Sequence, residues 1–413
     1  MKGWKKGFFW LAMWGWLMAG GQAAWAAPGA EAVWESRAAG QEAGTAWTGL
    51  DVGQAAGRMG ISEDLGHLEE FLQEITGGGE YGREGFSFQE LMGAAATGNL
   101  LEILAQAGKG LTGALSGELD RGGTLLAQVV LIGFVGAVFS NVSSVFKGGQ
   151  ISDAGFFVTY LLLFTCLAGG FLSSLNLAQQ VLNSIFEFMR LLMPAYYIVV
   201  AFSGGSISAL ALYEAMMAGM TLLQWLCGSF LLPAVKIYVL LVLGDHAMKE
   251  PVLTRLSELT EQTVVWSLKT LAGAVIGFQL LQSMVLPYAD ALGSSTAKRL
   301  VGSIPGFGQG AGAVAQMVLG SGVLMKNSMG AAGVVALAVI SMIPVLKLVI
   351  LMVLYQWVAA MMQPVCDKRM VSCVAGVSRG HKLLLQVVLY SMFLFMLSIA
   401  ITCGFTNVGY FAA

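Results

Sequence analysis

Residues 330–361 read GAAGVVALAVISMIPVLKLVILMVLYQWVAAM, an apolar run interrupted by one charge, Lys347, and one proline, Pro344. About 20 apolar residues are enough for a helix to cross a hydrocarbon core with every backbone group bonded internally. The run exceeds that length, so the chain reads as an all-α, polytopic membrane protein. Composition agrees: 56% of the 413 residues are hydrophobic and 11% charged, where a soluble domain carries about 25% charged residues. Such a chain cannot cover its apolar surface with polar groups in water.

Outward from this run, apolar stretches of similar length fill the chain from residue 124 to 413. Eight spans are expected, near Leu125 to Phe146, Ala154 to Leu175, Phe188 to Phe202, Ile207 to Leu226, Cys227 to Leu243, Thr270 to Pro287, Gly330 to Met361, and Leu383 to Thr406. Gln309 to Leu324, rich in glycine and small residues, is either re-entrant or a further span, so the count runs from roughly seven to nine. Lys368, Arg369, Arg379 and Lys382 make the richest basic cluster in a short connection, which the positive-inside rule places in the cytoplasm. With an exported N-terminal region and eight spans, that connection is inside and the C-terminus outside.

The N-terminus carries the pattern of an export signal over residues 1–26. Lys2, Lys5 and Lys6 form its positive part, Phe8 to Met18 its apolar part, and Ala24-Trp25-Ala26 a small-x-small cleavage site. An uncleaved first span is the alternative. Residues 27–60, rich in Ala, Gly and Glu, have few large apolar side chains and read as flexible. Residues 61–123 read as exported amphipathic helices: Ile61, Leu65, Leu68, Leu72 and Ile75 recur at helical spacing, and Phe88, Leu91 and Met92 begin a second such stretch. These helices either pack together or lie on the membrane surface.

Two segments echo each other, Leu232-Pro233-Ala234-Val235-Lys236-Ile237 and Ile343-Pro344-Val345-Leu346-Lys347-Leu348. They are either parallel repeats or a coincidence in a chain of low complexity. Proline bends a helix and frees a carbonyl, while a lysine in apolar sequence must snorkel, pair or face a polar cavity. Lys236 and Lys347 are therefore the candidate intramembrane residues, with Glu214 as acidic partner and Pro233 and Pro344 as hinges. The alternative is that both lysines snorkel to headgroups while Glu214 sits at an interface.

Several classes are set aside. The net charge of -2 offers no footprint for nucleic acid. His67, His246 and His381 are too far apart for a zinc-protease motif, and no phosphate-binding loop or serine elbow occurs, so no catalytic residue, metal or cofactor is expected. The five cysteines lack metal-site spacing and read as packing residues.

Ser303-Ile304-Pro305-Gly306-Phe307-Gly308, then Leu324-Met325-Lys326-Asn327, then Pro344 with Lys347, and finally Gln363-Pro364 follow one another in an order that resembles the stage III sporulation protein AE family of endospore-forming bacteria. Met193-Pro194 and Leu232-Pro233 also fall where that family has prolines, and the resemblance runs from about Phe86 to the C-terminus. It implies a subunit of the channel-like apparatus between mother cell and forespore, in the mother-cell-derived membrane, with the N-terminal region in the intermembrane space. The implied partners are the other proteins of its operon, including ring-forming proteins and a cytoplasmic ATPase, and indirectly a forespore protein. A homo- or hetero-oligomer in the lipid bilayer is expected. Two other classes stay open: an independent secondary transporter with a midplane site, and a scaffold whose spans only anchor the exported helices.

Overall fold

The computed structural model describes, in the main, residues 60–76, 86–99, 122–138, 149–203, 206–248, 252–302 and 308–405. Every regular element among them is a helix. The export signal and the 27–60 segment lie outside the described residues, apart from Gly60.

Two short helices come first. α1 (Ser62–Thr76) buries Leu65, Leu68 and Leu72 and turns Glu63, Glu70 and Glu74 outward. α2 (Phe88–Thr97) starts at Ser87, whose side chain accepts from the Glu90 N–H, and stops at Gly98, whose φ of 83° suits a residue without a side chain. Glu69 of α1 reaches the start of α2 and accepts from the Phe88 N–H at 2.7 Å, a carboxylate where a helix N-terminus favours one. Both helices pack onto the long helices rather than lying apart, and Phe88 meets Phe188 edge-on with ring centroids 6.4 Å apart.

The long helices are α4 (Gly149–Phe202), α5 (Ser206–Leu226) continued by α6 (Leu232–Asp245), α7 (Thr254–Gly302), α8 (Gly308–Met362) and α9 (Lys368–Phe405). A shorter apolar helix, α3, covers Gly122–Val138. Among the described residues, five helical segments are long and apolar enough to cross a membrane: Gly155–Phe202, Ala209–Asp245, Thr254–Gln282, Gly320–Met362 and Lys368–Gly404.

The described residues form fewer separate helices than the eight expected spans. The stretches at 154–175 and 188–202 belong to one helix, and those at 207–226 and 227–243 are joined without a turn. The polar residues between the first two, among them Gln179, Gln180 and Asn183, continue α4, and glutamine is a good helix former. Gln309 to Leu324 is neither re-entrant nor a separate span; it is the opening of α8. The basic residues also shift, since Lys368, Arg369, Arg379 and Lys382 all lie on α9 and the turn before it is only 363–367. Asp367 accepts from the Arg369 N–H at 2.8 Å and caps the start of that helix.

These rods continue through their prolines. Pro233 cannot donate to Ser229, and the chain answers with a π-turn at Cys227–Leu231, in which the Leu232 N–H reaches back to the Cys227 carbonyl. Pro194 and Pro344 sit inside α4 and α8.

α9 is the axis of the bundle, packing against α8, α4, α6 and α7. Glycines set the closest crossings: a Cβ on Gly376 or Gly380 would overlap Val242 or Val239 of α6. Contacts fix the directions. Tyr160 donates to the Leu243 carbonyl, and a Cβ on Gly133 of α3 would meet Met362 and Cys366, so these segments share one end. At the other end Gly322 approaches Phe202 and Gly330 approaches Cys403.

One helix changes character along its length. From Phe157 to Leu172 the exposed large side chains of α4 are Phe157, Val158, Leu161, Leu162 and Leu172. From Ser173 to Arg190 every exposed residue is polar: Ser173, Asn176, Gln179, Gln180, Asn183, Glu187 and Arg190. An arginine at the centre of a bilayer costs about 2.5–3.5 kcal/mol, so a lipid-facing helix would not repeat such residues turn after turn.

Candidate functional site: polar groups inside the bundle

The interior of an apolar bundle needs polar contacts between helices less than it needs close packing, so each buried polar side chain marks a specific junction. Two junctions involve α9.

The first is where Lys326 and Asn327 of α8 meet the far end of α9. Lys326 is 0% exposed. Its neighbour Asn327 accepts from the Cys403 thiol at 3.1 Å. Tyr196 of α4 points its buried hydroxyl, which makes no hydrogen bond of normal geometry, toward the same sulfur. Gly330 leaves the room, because a Cβ there would stand 3.4 Å from the tyrosine oxygen and 3.5 Å from the sulfur. Taking an ammonium out of water costs several kcal/mol even after relaxation, on the order of 5 kcal/mol. A buried lysine is thus a functional candidate on physical grounds.

The second junction is His381, also 0% exposed. Its Nδ1 lies 2.9 Å from the Val377 carbonyl and its Nε2 2.9 Å from the Ser174 hydroxyl of α4. A carbonyl only accepts, so Nδ1 carries a hydrogen, while the Ser174 hydroxyl, with one hydrogen of its own, stands between Nε2 and the Gly170 carbonyl, 3.1 Å away. Tyr355 stacks on the ring at 4.8 Å and Phe171 meets it edge-on at 5.5 Å. Three helices, α4, α8 and α9, are locked through one imidazole.

A groove of about 330 Å³ opens where α4 passes the π-turn, lined among others by Gln179, Asn183, Gln224 and Ser229. Beside it, Arg190 donates to the Gln224 side chain at 3.2 Å. π-turns often accompany functional sites, because they turn side chains out of helical register.

The residues singled out in sequence fall in different places. Lys236 and Glu214 are exposed on α6 and α5, Lys347 is half-buried on α8, Pro233 is exposed, and Pro344 is half-buried. α6 packs on α7, α9 and α4, whereas α8 packs on α9, α4 and α2, so the two proline-lysine echoes lie on helices with partly different neighbours. Of the family-motif residues, Lys326 and Asn327 enter the first junction. Gly308 opens α8, and Gln363 and Pro364 are exposed in the turn before α9. Pro305 and Gly306 lie outside the described residues. His381 and the polar face of α4 were missed in sequence; the 3-4-3-4 spacing of polar residues from Ser173 to Arg190 was the available signal for the latter. Among the described residues no group of three or more His, Cys, Asp or Glu is placed to hold a metal.

Comparison with known proteins bears on this geometry. The family model described as "Stage III sporulation protein AE" matches residues 86–406, from the residue before the α2 cap to the end of α9. The stage III sporulation protein AE of Bacillus subtilis (strain 168) is 23% identical over 373 residues, covering 86% of this chain and 94% of its own. No solved structure matches.

Proposed function

We propose a function from a fixed premise: the chain belongs to the stage III sporulation protein AE family. It is a multi-pass membrane protein of sporulation. Beyond that, we infer that it is a non-enzymatic, oligomeric subunit of the channel-like apparatus between mother cell and forespore, acting as conduit or export gate. It sits in the mother-cell-derived membrane around the forespore, with its N-terminal region in the intermembrane space. Its partners are the ring-forming proteins and cytoplasmic ATPase of the same operon and, through the rings, a forespore protein.

The observation that carries this reading is the family match, which takes in α2 and all the long helices. Helix directions are in keeping with it. If α3 crosses along with the five long segments, the parity is even, as in the expected eight-span arrangement. The turn at 363–367 and its basic flank then lie inside, and the N-terminal region outside. A midplane transporter site has less support, because such sites use interrupted helices, whereas α5–α6 and α8 continue through their prolines.

Complementation tests the proposal. In a sporulating strain lacking the chain, wild type restores spores and co-purifies with ring-forming proteins and the ATPase. Lys326→Met keeps the volume but removes the charge; it accumulates normally and restores few spores. Normal spore counts without the chain, or its isolation free of all those partners, would overturn the reading.

A further inference from the structure

Neighbouring helices cover α9 around most of its circumference, and their contacts show which side stays open. Successive residues of a helix turn by about 100°. His381, facing Ser174 of α4, therefore stands across the helix from Arg379. On one flank of Arg379, Ser378 donates to the Met352 carbonyl of α8 at 2.8 Å; on the other, Ser398 accepts from the Gln279 side chain of α7. Between those flanks lie Arg379, Lys382, Gln386, Tyr390, Phe393 and Leu397, spaced by three and four residues and all exposed or half-exposed.

This strip changes chemistry along its length. It opens with two cations and continues, past one amide, into rings and leucine. Lys382 is the last charged residue of the chain, so no acid lies further along the strip. The residues from Leu383 to Thr402 rise about 30 Å, the thickness of a hydrocarbon core.

Two neighbours mark the same height. Lys236 of α6 is three residues from Val239, which a Cβ on Gly380 would overlap, and residues 215–235 beyond it carry no charge. Tyr238 faces both Glu261 of α7 and Arg379, while Gln279 meets Ser398, so α7 and α9 run side by side in register. Lys269 thus stands near the level of Gln386, and residues 270–289 carry no charge. Exposed lysines on three helices fall within roughly 10 Å of one level, where the headgroups of a leaflet would lie.

A strip that is cationic at the headgroup level and apolar for about 16 Å beyond it, from Lys382 to Phe393, has the profile of one lipid molecule. A protein helix laid there would have to bring acids to one end only. A phospholipid supplies phosphate and chain together, at the heights where a bilayer already holds them. Glu261 offsets part of the charge of Arg379.

We propose that this strip of α9 binds an anionic phospholipid of the leaflet nearer the 363–367 turn, with Arg379 and Lys382 on the phosphate and an acyl chain along Tyr390, Phe393 and Leu397. The site depends on insertion in the membrane and not on the conduit reading.

Native mass spectrometry tests it on the full-length chain in detergent, titrated with phosphatidylglycerol or with phosphatidylcholine of the same acyl chains. Wild type should retain phosphatidylglycerol about tenfold better or more. Arg379→Gln combined with Lys382→Gln should bring the two lipids within about twofold of each other, whereas Lys368→Gln, which removes a charge from the start of the same helix, should keep the preference. In native membranes, p-benzoylphenylalanine in place of Phe393 should, on irradiation, add the mass of one intact phospholipid to the chain.

Equal retention of both lipids by wild type, or a preference that survives the double variant, overturns the proposal. So does an adduct at position 393 with a polypeptide in place of a lipid, whether another copy or a different protein. Should the double variant fail to accumulate, Lys382→Gln alone replaces it, and the adduct at position 393 gives an independent answer.

Discussion

Ser174 of α4 and His381 of α9 are joined at 2.9 Å, a hydroxyl and an imidazole both buried where two long helices cross. The ring is bonded at both nitrogens and clamped by Tyr355 and Phe171, so it acts as a rivet between helices far apart in sequence. His381→Ala leaves a cavity beside Ser174, whose hydroxyl keeps the Gly170 carbonyl as partner, and should lower stability by about 2–4 kcal/mol. Thermal unfolding in detergent reads this, and an unchanged midpoint would contradict the rivet.

The contact of α9 with α6 depends on the missing side chains of Gly376 and Gly380. Gly376→Ala should cost about 1–3 kcal/mol, since its methyl group must displace Val242 in a packed seam. Pairing it with Val242→Ala should restore much of the loss, which distinguishes a steric clash from altered helix propensity.

Asp245 is 3% exposed at the end of α6 and holds the beginning of α7. It accepts from the Leu253 N–H at 2.6 Å and from the Thr254 hydroxyl. Asp245→Ala should cost about 1–2 kcal/mol, as the loss of a helix cap does. Limited proteolysis should cut the α6–α7 connection faster in the variant, and Asp245→Asn should fall between the two.

Cys366, in the turn before α9, is the one free cysteine among the five that lies outside the five candidate spans. Burial pushes its thiol up, so the neutral form persists to higher pH than in a free thiol. Labelling by an impermeant maleimide should therefore be slow near neutrality and rise as the pH passes the ordinary thiol range. It should occur in inside-out vesicles and not in intact cells; the reverse would invert the topology.

Lys236 and Lys347 separate by exposure. Lys236→Met on the open face of α6 should leave folding intact and change stability by less than about 0.5 kcal/mol. If these lysines serve the passage of the apparatus, removing both charges should reduce sporulation while complexes still assemble. Full sporulation in the double variant would remove both from the candidate site.

Membrane class was legible in sequence, because a run such as 330–361 can satisfy its backbone in oil only as a helix. So were the buried faces of α1 and α2, whose apolar residues recur at helical spacing. The motif pair Lys326-Asn327 was visible as a resemblance, but its burial beside Cys403 was not. Where the helices stop was also hidden: the expected spans at 154–175 and 188–202 leave a gap in apolarity, and only the packing of Leu182, Ile185 and Phe186 against the bundle shows that α4 runs through it. Local composition sets what a segment can dissolve in. Which face of a helix is covered depends on neighbours that may lie hundreds of residues away, and for that reason the polar sector of α4, the His381 rivet and the separation of Lys236 from Lys347 were decided by the tertiary structure alone.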